Sequence, residues 1–156
     1  MGKIKKISSA KIRKLTGGKD PVRFVEEFMI RRGFDPEQCL QQRTLENIQW
    51  LVPLSQDEEL EITLDKLNRT QDCSLYMGVN VLSVELRDFN KFLTACLIVA
   101  DKLVGTKLSL VNYDLVISVS EYASTINADD IDYFYELITK QKSTVTEAVL
   151  DDLENG

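Results

Sequence analysis

The sequence predicts an α+β fold, an antiparallel sheet of about five strands with helices packed on the sheet, in the order α-βββ-α-ββ-α. Three stretches carry that expectation. From Arg87 to Val104, Phe89, Phe92, Leu93, Cys96, Leu97, Val99, Ala100, Leu103 and Val104 recur at three- and four-residue steps. That is the period of an amphipathic helix with a wide buried face. From Cys73 to Val81, apolar Cys73, Leu75, Met77, Val79 and Val81 alternate with Ser74, Tyr76, Gly78 and Asn80, the period-two pattern of a strand. Leu60, Ile62 and Leu64 alternate likewise with Glu59, Glu61 and Thr63, which makes a half-buried strand with an acidic outer face.

The elements follow in chain order. Residues 1–19 form a flexible basic arm with a sparse apolar stripe, Ile4, Ile7, Ile12 and Leu15, closed by Gly17-Gly18. Residues 20–150 form a single α+β domain, and 151–156 an acidic tail that frays. Asp20 caps the first helix, Pro21–Arg32, and Pro21 suits its first position. Phe24, Val25, Phe28 and Met29 are its stripe, Arg31 and Arg32 meet the negative dipole end, and Gly33 stops it with Phe34 folding back beyond the cap. Asp35-Pro36 opens a short helical turn through Cys39 and Leu40. A weakly alternating strand, Asn47–Leu54, has Pro53 near its end. Ser55 to Glu58 turn the chain into the strand at 59–64, and a polar loop leads to the strand at 73–81, an antiparallel meander.

After the long helix, Gly105 fits a left-handed C-terminal cap. Leu108 and Leu110 begin another strand, Asn112-Tyr113-Asp114 turn the chain, and Leu115, Ile117 and Val119 mark a further one. One long strand from Lys107 to Tyr122 is the alternative. Asn127 caps the last helix, with Asp129 and Asp130 in its first turn. Ile131, Phe134, Leu137 and Ile138 are its buried side, and Val145, Val149 and Leu153 extend it.

Composition narrows the function. The chain has 156 residues, 44% hydrophobic and 28% charged, with a net charge of −6, as befits an ordinary globular domain. It contains no histidine, which removes the commonest general base, the commonest zinc ligand and every Ser-His or Cys-His nucleophile arrangement. An enzyme is not expected, and neither a cofactor nor a metal is implied. Cys39, Cys73 and Cys96 form no CxxC pair, which fits a reducing compartment and a cytoplasmic location. No apolar run reaches the length of a membrane span.

Charge is unevenly placed. The arm carries seven cations, among them Lys3, Lys5, Lys6, Lys11, Arg13 and Lys14, and no acid. The rest of the chain holds 12 basic and 25 acidic side chains. Such an arm could make weak contact with nucleic acid or an anionic membrane surface. It has no aromatic residue to stack on a base.

Local motifs are sparse. The acids Asp57, Glu58, Glu59, Glu61, Asp129 and Asp130 lack EF-hand spacing and read as solvated turns and helix starts. Gly17-Gly18-Lys19 lacks the rest of a phosphate-binding loop. Tyr133 and Tyr135 flank Phe134 on the last helix, where all three cannot face the core. An exposed tyrosine suits a protein interface. Ile98 points away from the Phe89–Leu93–Cys96–Ala100 line. Ile98, Tyr133 and Tyr135 are therefore the candidate partner-binding residues.

The chain resembles the YbjN-like family and the type III secretion chaperones, which share one α+β architecture, over about residues 20–141. The likeness rests on Phe24-Val25-Glu26-Glu27-Phe28-Met29 followed by Gly33-Phe34, and on Leu86 to Val104 leading through Gly105 into Lys107-Leu108-Ser109-Leu110. Its third part is Asp114-Leu115-Val116-Ile117-Ser118-Val119 followed by Asn127 to Ile138. The pI of about 4.8 agrees with the acidic secretion chaperones; the basic arm lies outside the likeness. The resemblance implies a non-enzymatic protein-binding module, chaperone-like or regulatory, acting as a homodimer on another protein. The alternative is an adaptor whose basic arm binds nucleic acid or an anionic membrane surface.

Overall fold

The computed structural model describes residues 20–69, 72–83 and 89–155. Its elements are α1 (Pro21–Arg31), α2 (Pro36–Cys39), β1 (Leu40–Arg43), β2 (Ile48–Pro53), β3 (Glu59–Asp65) and β4 (Ser74–Ser83). They continue with α3 (Phe89–Ala100), β5 (Lys107–Val111), β6 (Asp114–Tyr122), a short 3-10 turn (Ala123–Thr125) and α4 (Ala128–Asn155). The strands form one antiparallel sheet in the order β1-β2-β3-β4-β6-β5, so the α+β class with helices on a sheet holds. The chain gathers into two compact units, one of residues 20–77 and 120–134, the other of 78–119 and 135–155.

In the first unit, α1 starts and stops as its sequence dictates. The Asp20 carboxylate accepts from the Arg23 amide at 3.1 Å, and Pro21 occupies the first turn. At the other end Gly33 has φ +84°. Its amide donates to Ile30 O at 3.0 Å, and the Phe34 amide to Met29 O at 2.8 Å, the paired closure of a Schellman motif. Arg31 bonds Asp129 at 2.9 Å and Arg32 bonds Asp132 at 2.7 Å, tying this end to the start of α4. β2 and β3 pair Ile48 with Leu64, Trp50 with Ile62 and Val52 with Leu60. All six are buried, together with Phe28 and Met29 of α1.

The structure adds a strand to the expected order. The turn expected through Leu40 ends at Cys39, and Leu40 opens β1 against Trp50 of β2, with a register shift before Gln42. A short, irregular edge strand of this kind discourages pairing with other chains. Arg43 at its end lies largely buried and bonds Glu26 of α1 at 3.2 Å.

In the second unit, β5 and β6 are two strands joined by a tight turn. Val111 faces Asp114, and Asn112 and Tyr113 between them have φ of +49° and +68°, the pattern of a type I′ hairpin. The Tyr113 ring meets Phe89 edge-on at 5.9 Å. Helix α3 ends at Ala100, short of the expected Val104. There its hydrogen bonds contract, Lys102 N to Val99 O and Leu103 N to Ala100 O, and the exposed charges of Asp101 and Lys102 follow. Gly105, at φ +83°, shapes the loop into β5 and does not cap the helix.

Helix α4 passes through both units. Asn127 Oδ1 accepts from the amides of Asp129 and Asp130, and Asp130 returns a bond to the Asn127 amide, a reciprocal capping box. The Ser143–Thr146 stretch stays helical; the Thr146 hydroxyl donates to Lys142 O at 2.8 Å, a local bond that β-hydroxyl side chains make within helices. Helix continues through 151–155, the segment expected to fray. The buried line runs through Ile131, Ile138, Val145 and Val149. Phe134, expected in the core, sits about 60° off that line and is half-buried.

Candidate protein-binding surface

Successive residues of a helix point about 100° apart. Phe92, Ala95, Cys96 and Val99 are the buried residues of α3, so Leu97 and Ile98 fall outside the buried arc. Leu97 is 72% exposed and Ile98 46%. Val104, just beyond the helix, is 81% exposed. The periodicity alone places Leu97 and Val104 inside the stripe; the structure puts both in water. A wheel centred on Cys96 and Val99, not on the whole apolar run, would have exposed Leu97.

A groove of about 140 Å³ runs beside this helix, lined by Phe92, Cys96 and Leu97 of α3 and by Leu108, Leu110 and Leu115 of the hairpin. The walls are therefore almost wholly apolar. β5 ends the sheet order, and its Leu110 and Val111, with Tyr113 of the turn, are exposed. Ile98 opens instead onto a cleft of about 290 Å³ with Lys91, Thr94, Asp152 and Asn155.

The other candidates divide. Tyr133 is 61% exposed on α4 in the first unit, its ring 6.0 Å from that of Phe134. Tyr135 belongs to the second unit, is half-buried and already has a polar or ring contact. Lys3, Lys5, Lys6, Lys11, Arg13 and Lys14 lie outside the described residues.

Cys39, Cys73 and Cys96 are buried and free. Burial pushes the thiols of Cys73 and Cys96 up to about 11 and raises Cys39 as well, which leaves little thiolate at neutral pH. Among the described residues, no three His, Cys, Asp or Glu side chains gather as a metal site. The acids of the sequence have other partners: Glu61 accepts from Gln49 and Thr63, each at 3.0 Å, and Asp129 holds Arg31. No described helix is long and apolar enough to cross a membrane.

No protein-family model matches the sequence, and comparison with curated proteins finds no relative. Solved structures do match. A chain of the ExsC–ExsE complex aligns at a TM-score of 0.54 and 8% identity, over 91% of this chain and 96% of its own. A chain of the HopA1–SchA chaperone–effector complex aligns at 0.57 and 8% identity, over 91% and 99%. At such identity the likeness is one of fold alone.

Proposed function

We propose that the protein is a non-enzymatic, chaperone-like binding module that pairs as a homodimer through α3 and takes another protein as its partner. The observation that carries this reading is the outward apolar surface of α3, Leu97 and Ile98, with Val104 beyond its end. One exposed apolar residue is ordinary; three within eight positions, with Leu97 bordering an apolar groove, favour a protein–protein surface. A symmetric contact sets the same patch against itself, which makes a second copy of the chain the occupant this reading names. Both structural neighbours were solved as complexes of two proteins, which supports a protein as the further partner. Kinship with the YbjN-like family and a cytoplasmic location belong to the same proposal.

Sedimentation equilibrium at micromolar concentration tests the pairing. The wild type is expected as a dimer and Ile98→Asp as a folded monomer. A wild type that stays monomeric at every concentration overturns the dimer.

The seven cations of the arm favour a second reading, contact with nucleic acid or an anionic membrane. Binding to DNA or acidic vesicles that weakens steeply with salt and disappears on deletion of residues 1–19 would support it. Binding that survives the deletion would remove the arm from the account. The same deletion is expected to leave the unfolding midpoint of the body nearly unchanged.

A further inference from the structure

β1 closes one edge of the sheet, and it is held there differently from the other strands of the first unit. Residues opposite one another on paired strands share a face. Leu40 lies opposite Trp50 and Arg43 opposite Ile48, and Trp50 and Ile48 are fully buried. Arg43 therefore sends its side chain into the buried face, where Glu26 of α1 meets it. That side chain is only 9% exposed, and its ion pair is a single contact, Nη2 to Oε1, of 3.2 Å. Arg43 Nε and Trp50 Nε1, on these neighbouring strands, are buried N–H donors, and among the described residues neither has a hydrogen-bond partner.

Buried donors are nearly always paired, and a buried charge is stable only with good geometry and further hydrogen bonds around it. This strand pair contains a charge with one partner and two donors with none, all where β1 covers β2. Lifting β1 brings water to each of them. What resists the move is slight. β1 has four residues, with Leu40 only half-buried and both glutamines exposed, and its register shifts between Leu40 and Gln42. The segments on either side are closed by their own bonds. Asp35 accepts from the Glu37 amide at 3.0 Å at the start of α2, and the Thr44 amide donates to Asn47 O at 2.7 Å in the following turn. Each can stay folded while β1 moves. β3, in contrast, pairs with β2 over six residues without a shift and buries Leu60, Ile62 and Leu64.

We propose that β1 is a hinged strap, clasped by Arg43 on Glu26, that opens separately from the rest of the first unit and bares the edge of β2. Closed, it is the cover that keeps this edge from other chains.

The test is native-state amide hydrogen exchange on the full-length chain, in water and in urea below the unfolding transition. In the wild type the amides of residues 40–43 are expected to exchange at least about a hundredfold faster than those of β3. Urea should scarcely change the β1 rates, because the opening exposes little surface. Any short edge strand frays to some degree, so two variants decide the cause. Arg43→Met keeps the bulk and removes the charge and the unpaired Nε donor; it is expected to slow β1 exchange about tenfold. Glu26→Ala strips Arg43 of its partner and is expected to speed β1 exchange about tenfold, with β3 unchanged. Equal rates in β1 and β3, rising together with urea, overturn the strap. Unchanged or faster β1 exchange in Arg43→Met overturns the buried charge as the reason it opens, and unchanged exchange in Glu26→Ala overturns the clasp. All of these outcomes are independent of whether the chain pairs with a second copy.

Discussion

Helices α1 and α3 are nearly the same length and are held in different ways. α1 has an N-terminal carboxylate cap, a proline in its first turn and a glycine closure, and its last arginine is paired to Glu27 and Asp129. Among its large apolar residues only Ile30 is well exposed, at 65%. α3 has no acid in its first turn and no base in its last, and it leaves by contracting into a tighter turn. Leu97 and Ile98 both face outward. The first helix is fixed by local chemistry and buries its stripe within its own unit. The second depends on apolar packing and retains apolar surface after its own unit has used what it can. On that difference rests the proposal that the protein-binding surface lies on α3.

The largest expected contrast lies in the core. Phe28→Ala on α1 should destabilise by about 3–5 kcal/mol, because it removes a fully buried ring and leaves a cavity. Leu97→Ala on α3 should change the stability of the single chain by no more than about 0.5 kcal/mol, as for other surface positions. Denaturant unfolding at low protein concentration measures both. Equal losses would show that Leu97 belongs to the intramolecular core.

The next contrast is in the thiols, Cys73 ahead of β4 and Cys96 on α3. Burial raises both from near 9 to about 11, with the charge of Asp65 adding to Cys73. The folded state therefore binds these protons more tightly than the unfolded state. The stabilisation is complete below about pH 9 and is lost as pH rises through about 11. Urea midpoints taken from pH 8 to 11 should fall across that window, and the fall should shrink in Cys73→Ser. A flat profile would mean that the thiols are open to solvent.

The smallest contrast concerns the helix starts. Asp20→Ala removes the cap of α1 and should cost about 1 kcal/mol. Asn90→Ala, at the exposed start of α3, should cost close to nothing. Thermal melts of the two variants compare them directly.

What could be read from the sequence follows the same division. Asp20-Pro21, Gly33-Phe34 and Asn127 through Asp130 are local signals whose hydrogen bonds form between residues a few positions apart, so both ends of α1 and the start of α4 were legible. The strands with strict alternation, Leu60–Leu64 and Cys73–Val79, were legible because one face is buried. β1 was not, since Leu40-Gln41-Gln42-Arg43 has no alternation and becomes a strand only by pairing with β2. The end of α3 was hidden because apolar periodicity carries no stop signal, and Gly105 supplied a false one. Whether Lys107 to Tyr122 made one strand or two rested on Asn112 and Tyr113, and a tyrosine at positive φ is an uncommon turn residue. Of the surface residues, Ile98 was readable from the helical wheel. Leu97 and Val104 were not, because their neighbours are equally apolar and only packing separates those that are buried.

The central claim is that the outward apolar face of α3, and not that of α1, meets a second copy of the chain. Cysteines introduced one at a time, Leu97→Cys and Ile30→Cys, test it with a short bismaleimide cross-linker at micromolar concentration, since the native thiols are buried. Leu97→Cys is expected to give a covalent dimer in high yield and Ile30→Cys to stay monomeric. Monomer from both variants, or equal dimer from both, would contradict the account.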